Sequence, residues 1–94
     1  MAIIWSNASR HDVSRIFDFN ASYDVRRAVI IDERLVDGAE RCARNPMAGR
    51  PIDGTAIRER SLADIQYVLR YRIEANGDIT MLGIRHAREN RDAS

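Results

Sequence analysis

Tyr67-Val68-Leu69-Arg70-Tyr71-Arg72-Ile73, then Glu74-Ala75-Asn76-Gly77-Asp78, then Ile79-Thr80-Met81-Leu82-Gly83-Ile84-Arg85-His86 read as a β-hairpin, and this stretch decides the fold. Two alternating runs flank Asn76-Gly77, the pair best suited to a type I′ turn because both central residues of that turn need positive φ. A two-residue turn sets Ala75 opposite Asp78 and, counted outward, Tyr67 opposite His86. That register predicts a core face of Tyr67, Leu69, Tyr71 and Ile73 with Thr80, Leu82, Ile84 and His86. Val68, Arg70 and Arg72 then share the other face with Ile79, Met81, Gly83 and Arg85. A bulged three-residue turn would shift the register by one and bury Arg85 beside the tyrosines, so the pattern favours the shorter turn.

The rest of the chain has to supply what covers the tyrosine face. Its 94 residues suit one domain, which at this size buries roughly 60–70% of the surface the unfolded chain exposes. With 45% apolar and 31% charged residues, the composition is that of a soluble globular domain. No apolar run approaches the ~18 residues of a membrane span, and Met1 to Trp5 lacks the basic start and cleavage site of a signal peptide. Cys42 is the only cysteine, which excludes an intramolecular disulfide and fits a reducing cytoplasm. Every basic residue other than histidine is arginine, a preference that genomic base composition accounts for without any function. Residues 1–40 hold five arginines against seven acidic residues, and residues 41–94 hold ten against seven, so the later half is the better place for an acidic or anionic partner.

Taken in order, Ala2 to Trp5 is a short strand of β-branched and aromatic residues, stopped by Ser6-Asn7, a helix-capping pair. A helix runs from about Ala8 to Ser22, with Val13, Ile16, Phe17 and Asn20 at helical spacing and Phe19 with Tyr23 widening the buried face. Asp24 caps a second helix to about Arg44, in which Ala28, Ile31, Leu35, Ala39 and Cys42 form one stripe. Gly38 inside it costs about 1 kcal/mol relative to alanine and implies a close packing contact. Asn45-Pro46 ends the helix. Met47 to Gly54 is a polar loop, Ala56 to Leu62 a strand, and residues 86–94 a mobile, solvated C-terminal tail. The predicted fold is α+β, in the order β-α-α-β-β-β, with two helices packed on a small, mostly antiparallel sheet.

Several pieces, in their order and spacing, carry a resemblance over nearly the whole chain. These are Trp5-Ser6 before a helix with Asp12, Ile16 and Phe19; Asn45-Pro46 followed by Gly49-Arg50-Pro51; Ile57-Arg58-Glu59; the strand from Tyr67 to Ile73; and Ile79 through Ile84 followed by His86-Ala87-Arg88-Glu89. The chain resembles the ParE branch of the RelE/ParE superfamily of toxin-antitoxin toxins. The resemblance implies a cytoplasmic toxin that forms a hetero-oligomer with a cognate ParD-like antitoxin. In the ParE branch the target is DNA gyrase; in the RelE branch it is messenger RNA cut on the ribosome.

Two distant histidines and one cysteine make no metal ligand set, neither a hydrolase triad nor a glycine-rich phosphate loop is evident, and no cofactor is expected. The enzymatic alternative is metal-free RNA cleavage, with His86 as base or acid and Arg58, Arg70, Arg72 and Arg85 around the phosphate. Glu59 is a second candidate base. Each has an ordinary role too: a histidine bonded on the core side, arginines solvated on the open side, Cys42 in the core and Trp5 packing a sheet edge. Arg58 and Glu59 are strand neighbours, so they point to opposite faces. A net charge of +1 is poor provision for docking into ribosomal RNA, and the tail after His86 lacks the aromatic or extra histidine of RelE-branch nucleases. The favoured reading is therefore a non-enzymatic gyrase inhibitor without sequence-specific nucleic-acid binding. Arg85, His86, Arg88 and Arg91 are expected to face the target, and Arg41, Arg44 and Arg50 an acidic or amphipathic antitoxin segment.

Overall fold

The structure is a computed structural model and describes residues 2–88. Its elements run β1 (Ile3–Trp5), α1 (Asn7–Ala21), α2 (Val25–Arg44), a 3₁₀ turn (Pro46–Ala48), β2 (Arg50–Pro51), β3 (Ile57–Leu62), β4 (Tyr67–Ile73) and β5 (Ile79–His86). The sheet order is β1-β5-β4-β3-β2, antiparallel except for the parallel β1–β5 pair, with both helices on one face. This is the expected α+β layout with one added strand. β2 was hidden in a stretch that reads as loop because it is two residues long and half proline, a residue confined to sheet edges.

Both helices start at the expected caps: the Ser6 hydroxyl accepts from the Ser9 amide and the Asp24 carboxylate from the Arg26 amide, each at 3.0 Å. The α2 stripe of Ala28, Ile31, Leu35, Ala39 and Cys42 is buried as predicted. Gly38 belongs to the same contact. A Cβ there would lie 2.8 Å from a Leu62 methyl, so its missing side chain lets α2 settle onto β3 and β4. α1 differs from expectation. Ile16 and Asn20 face inward, but Phe19 and Tyr23 are exposed and pack edge to face on each other, with centroids 5.4 Å apart. Asn20 takes the inward position because its amide nitrogen donates to the Ile16 carbonyl and to the Tyr67 hydroxyl.

The hairpin holds the predicted register in its outer half and departs from it in the inner half. Tyr67–His86, Val68–Arg85, Leu69–Ile84 and Arg70–Gly83 pair as counted, but Tyr71 then pairs with Met81 and Ile73 with Ile79. The turn is the longer kind. Gly77 donates to the Glu74 carbonyl and has φ +93°, and Glu74 donates to the Asp78 carbonyl, which makes a type I turn followed by a left-handed glycine. Leu82, the extra residue between the Arg70 and Tyr71 pairs, then bulges and restores the register, so Arg85 still faces outward. Consequently Ile79 and Met81 are fully buried in the core, where Thr80 and Leu82 were expected. Thr80 turns to the open face and its hydroxyl donates to Glu74.

Two further contacts position the site. β1 pairs with β5 only as far as Trp5–Met81, and beyond it the Ile84 amide donates to Asp12 Oδ2 of α1 at 2.9 Å. The helix thus supplies the acceptor that a neighbouring strand otherwise would. On the helix side, buried Tyr71 donates to the Pro46 carbonyl at 2.6 Å and accepts from the Gly49 amide at 3.2 Å. Arg58 donates to the Met47 and Gly49 carbonyls at 3.1 and 2.7 Å. Together they fasten the segment between α2 and β2, and burial pushes the Tyr71 phenol and the Cys42 thiol above their ordinary pKa values.

Candidate functional site

The face of the sheet away from the helices carries an ionic cluster built by strand alternation. Glu59 pairs directly with Arg50 of β2 on one side and with Arg70 of β4 on the other, and Arg85 reaches in from β5. The Glu59 side chain is only 5% exposed. Its Oε1 accepts from Arg50 at 3.0 Å and Arg85 at 3.2 Å, and its Oε2 from Arg70 Nε and Nη2 at 3.0 and 2.9 Å. Burial pushes this carboxyl up, yet the Arg70 hydrogen bonds and the charges of Arg85, Arg70 and Arg50 outweigh it, and the net shift is downward. Glu59 is therefore a fixed anion that orders three guanidinium groups, and it is poorly suited to take a proton. Beside it, Arg72 donates to Glu74 at 3.0 Å.

Two shallow depressions flank Glu59 on this face. One, of about 360 Å³, is lined by Asp12, Glu59, Arg70 and Arg85 with Leu82 and Gly83, so its charges balance. The other, of about 420 Å³, lies along β3 among Arg50, Glu59, Ser61, Val68 and Arg85; Arg60 also borders it, but as the register partner of core residue Leu69 it carries its charge on the helix side, near Tyr71 and Cys42. Among the described residues no large exposed hydrophobic side chain comes from β3, β4 or β5.

A different surface lies at the far end of α1. Arg15, Ile16, Phe19, Tyr67, His86 and Arg88 line a cleft of about 350 Å³. His86 packs edge to face on Tyr67, with centroids 5.2 Å apart, and its Nδ1 accepts from the Arg88 amide at 3.1 Å. The cleft combines aromatic walls with basic residues at its rim. On the helical layer, Val25, Val29, Ile30 and Val36 of α2 are 42–60% exposed. Val36 shares a small apolar hollow with Trp5, Val13 and Arg10.

The residues picked out from sequence are thus divided among surfaces. Arg70, Arg72 and Arg85 share the open face, while Arg58 is committed to the Pro46–Gly49 segment on the helix side and His86 to Tyr67. The five residues proposed for RNA cleavage are not brought together. Of the expected target-facing residues, His86 and Arg88 line the aromatic cleft, Arg85 lies in the ionic cluster, and Arg91 is outside the described residues. Arg41 and Arg44 occupy the last turn of α2, and Arg50 is turned into Glu59. Sequence reasoning missed Glu59 as the centre of a cluster. Its only signal was an acidic residue that falls opposite arginines once the β2–β3 and β3–β4 registers are known.

A family model described as the ParE toxin of the type II toxin-antitoxin system, parDE, matches residues 3–91. Among solved structures, the chain is similar to one titled as the chromosomal ParDE TA system from P. aeruginosa, at 20% identity and a TM-score of 0.80, over 94% of this chain and 97% of that one. That likeness is one of fold. No curated protein matches in sequence.

Proposed function

The chain belongs to the ParE toxin family of type II toxin-antitoxin systems, and from that premise we propose that it inhibits DNA gyrase by protein–protein binding and is neutralised by a ParD-like antitoxin. The observation that carries the non-enzymatic reading is the separation of its candidate catalytic groups. A metal-free nuclease needs a base within hydrogen-bond reach of the hydroxyl it activates and cations around the same phosphate. Here His86 lies on the helix side against Tyr67, and the open-face arginines surround a carboxylate held in its charged form.

Inhibition then depends on surface complementarity, with His86 and Arg88 beside Phe19 and Tyr67 as the contact region for gyrase. The exposed valines and isoleucine of α2 suit an amphipathic antitoxin segment that orders on binding, with Arg41 and Arg44 receiving its acidic residues. Both events belong to the cytoplasm, and no helix among the described residues is long and apolar enough to cross a membrane. Purified gyrase assayed for supercoiling and cleavage, beside an in vitro translation reaction, tests the reading. Accumulation of cleaved DNA with intact message is expected; cut message with unaffected gyrase would overturn it in favour of a RelE-like ribonuclease.

A further inference from the structure

We propose that Asn76 is a site of spontaneous deamidation, and that its conversion to a carboxylate loosens the first strand from the sheet. Asn76-Gly77 is the one Asn-Gly pair in the chain; Asn7 and Asn20 precede alanine, Asn45 proline and Asn90 arginine. Asparagine is thermolabile because the main-chain nitrogen of the next residue can attack its side chain. Glycine has no Cβ to obstruct that approach and tolerates the dihedrals that ring closure demands. Asn76 is exposed at the tip of the β4–β5 turn, where water and hydroxide reach it and local opening costs least.

The turn does more than expose the pair. The Asp78 amide donates to Asn76 Oδ1 at 3.0 Å, and Asn76 Nδ2 donates to Asp78 Oδ2 at 3.1 Å. The first bond polarises the carbonyl under attack and meets the negative charge that develops on its oxygen, as an oxyanion-hole donor does. The second sets a carboxylate beside the leaving nitrogen, placed to relay a proton to it. Opposing them is the bond from the Gly77 amide to the Glu74 carbonyl at 3.0 Å, which has to break before that nitrogen reacts. It is a single bond at the end of a hairpin.

Once hydroxide has taken its proton, the Gly77 nitrogen bonds to Asn76 Cγ. The Cγ–Nδ2 bond breaks, the leaving nitrogen takes a proton from water and departs as ammonia, and a five-membered succinimide remains. Water then opens the ring at one of its two carbonyls, giving either aspartate or isoaspartate, in which the main chain runs through the β-carbon. Asp78 carries the effect to β1. Its Oδ1 accepts from the Ala2 amide at 2.9 Å while Asn76 holds its Oδ2. The Ile79 amide next to it donates to the Ala2 carbonyl at 3.1 Å, at the start of the β1–β5 ladder. Deamidation replaces the donor facing Asp78 Oδ2 with an anion. The charge of Asp78 already bears on Glu74, so three carboxylates then crowd one turn, Asp78 swings away and Ala2 loses its anchor. The outer part of β5 is spared, because Asp12 of α1 holds the Ile84 amide. The inference is independent of the gyrase reading, since it concerns the isolated chain.

Incubating the full, folded chain at mildly alkaline pH and digesting it after arginine tests the reaction, because residues 73–85 are released as a peptide whose single amide side chain is Asn76. That peptide should gain the mass of an amide-to-acid exchange and contain isoaspartate, while the peptides holding Asn7 and Asn20 stay unchanged. Asn76→Ser cannot cyclise and should abolish the gain. An Asn76 still intact in the folded chain after the urea-denatured chain has converted in the same buffer would overturn the proposal. Amide hydrogen exchange of Asn76→Asp reads the consequence: Ile79 should exchange at least about threefold faster than in the wild type, and Ile84 should change less than about twofold. Adding Asp78→Asn to Asn76→Asp replaces the repelling carboxylate with an amide that donates to the new one, and should return Ile79 to its wild-type rate. Unchanged exchange at Ile79 in Asn76→Asp, equal acceleration at Ile84, or no rescue by Asp78→Asn would each overturn the release of β1.

Discussion

Glu59 illustrates how one residue's environment sets its role. Its carboxyl sits below its ordinary pKa of 4.5 in the folded chain, so its contribution to stability is complete above that value and is lost as pH falls through the lower, folded-state pKa. Glu59→Gln keeps the shape but removes the charge that orders Arg50, Arg70 and Arg85. The expected cost is about 1.5–3 kcal/mol at neutral pH, the range of hydrogen bonds to charged groups. Urea unfolding of both proteins between neutral pH and about pH 3 measures it, and the gap between them should close once wild-type Glu59 is itself protonated. Sequence alone could not show this burial, because a glutamate between two arginines in Ile57-Arg58-Glu59-Arg60 reads as ordinary solvated strand alternation. Glu59 is buried because arginines on three other strands cover it.

At the scale of elements, the hairpin shows which parts of the fold were legible. Alternation fixed the outer register, since Tyr67, Leu69 and Ile84 have no other favourable side. It could not fix the inner register. Met81 and Leu82 are adjacent apolar residues of similar volume, so either can face the helices, and Asn-Gly serves the longer turn as well as the shorter one. The turn's left-handed glycine and the Leu82 bulge are opposite corrections of one residue each. A chain without Leu82 would keep Tyr71 opposite Met81 and Arg70 opposite Gly83 in an unbroken ladder. Deleting Leu82 should therefore leave the protein folded, with Met81 and Ile84 still buried, and cross-strand NOEs between 70 and 83 and between 71 and 81 are the measurement. Loss of cooperative folding would show that the bulge itself is required, through the Ile84–Asp12 bond or the bend it gives β5.

Across the whole molecule, the two surfaces of the layered fold differ in kind: a charged sheet face and a helical face with exposed aliphatic side chains. The second is where the antitoxin is proposed to dock. Val29→Asp with Val36→Asp changes two half-exposed positions and should leave the melting temperature nearly unchanged. It should weaken antitoxin binding by at least about tenfold in calorimetry, since buried aliphatic anchors dominate such grooves. An unchanged affinity would move the antitoxin off this face. The layer order and the apolar stripe of α2 were readable from spacing. The outward turn of Phe19 and Tyr23 was not, because it follows from Asn20 bonding inward to Tyr67 across the layers.

The parallel pairing of β1 with β5 has a consequence for synthesis. The first strand's partner is the last element of the sheet in chain order, so Ile3 to Trp5 must wait more than seventy residues for Ile79 to Met81. Closing so long a loop is slow compared with forming the helical hairpin that precedes it. A ribosome that stops before residue 79 releases a chain in which β4 lacks its central neighbour and β1 has nothing to join. Interrupted translation thus yields fragments whose ionic cluster lacks Arg85 and whose aromatic cleft lacks His86 and Arg88, and the cell meets the finished surface only when the fifth strand has been delivered.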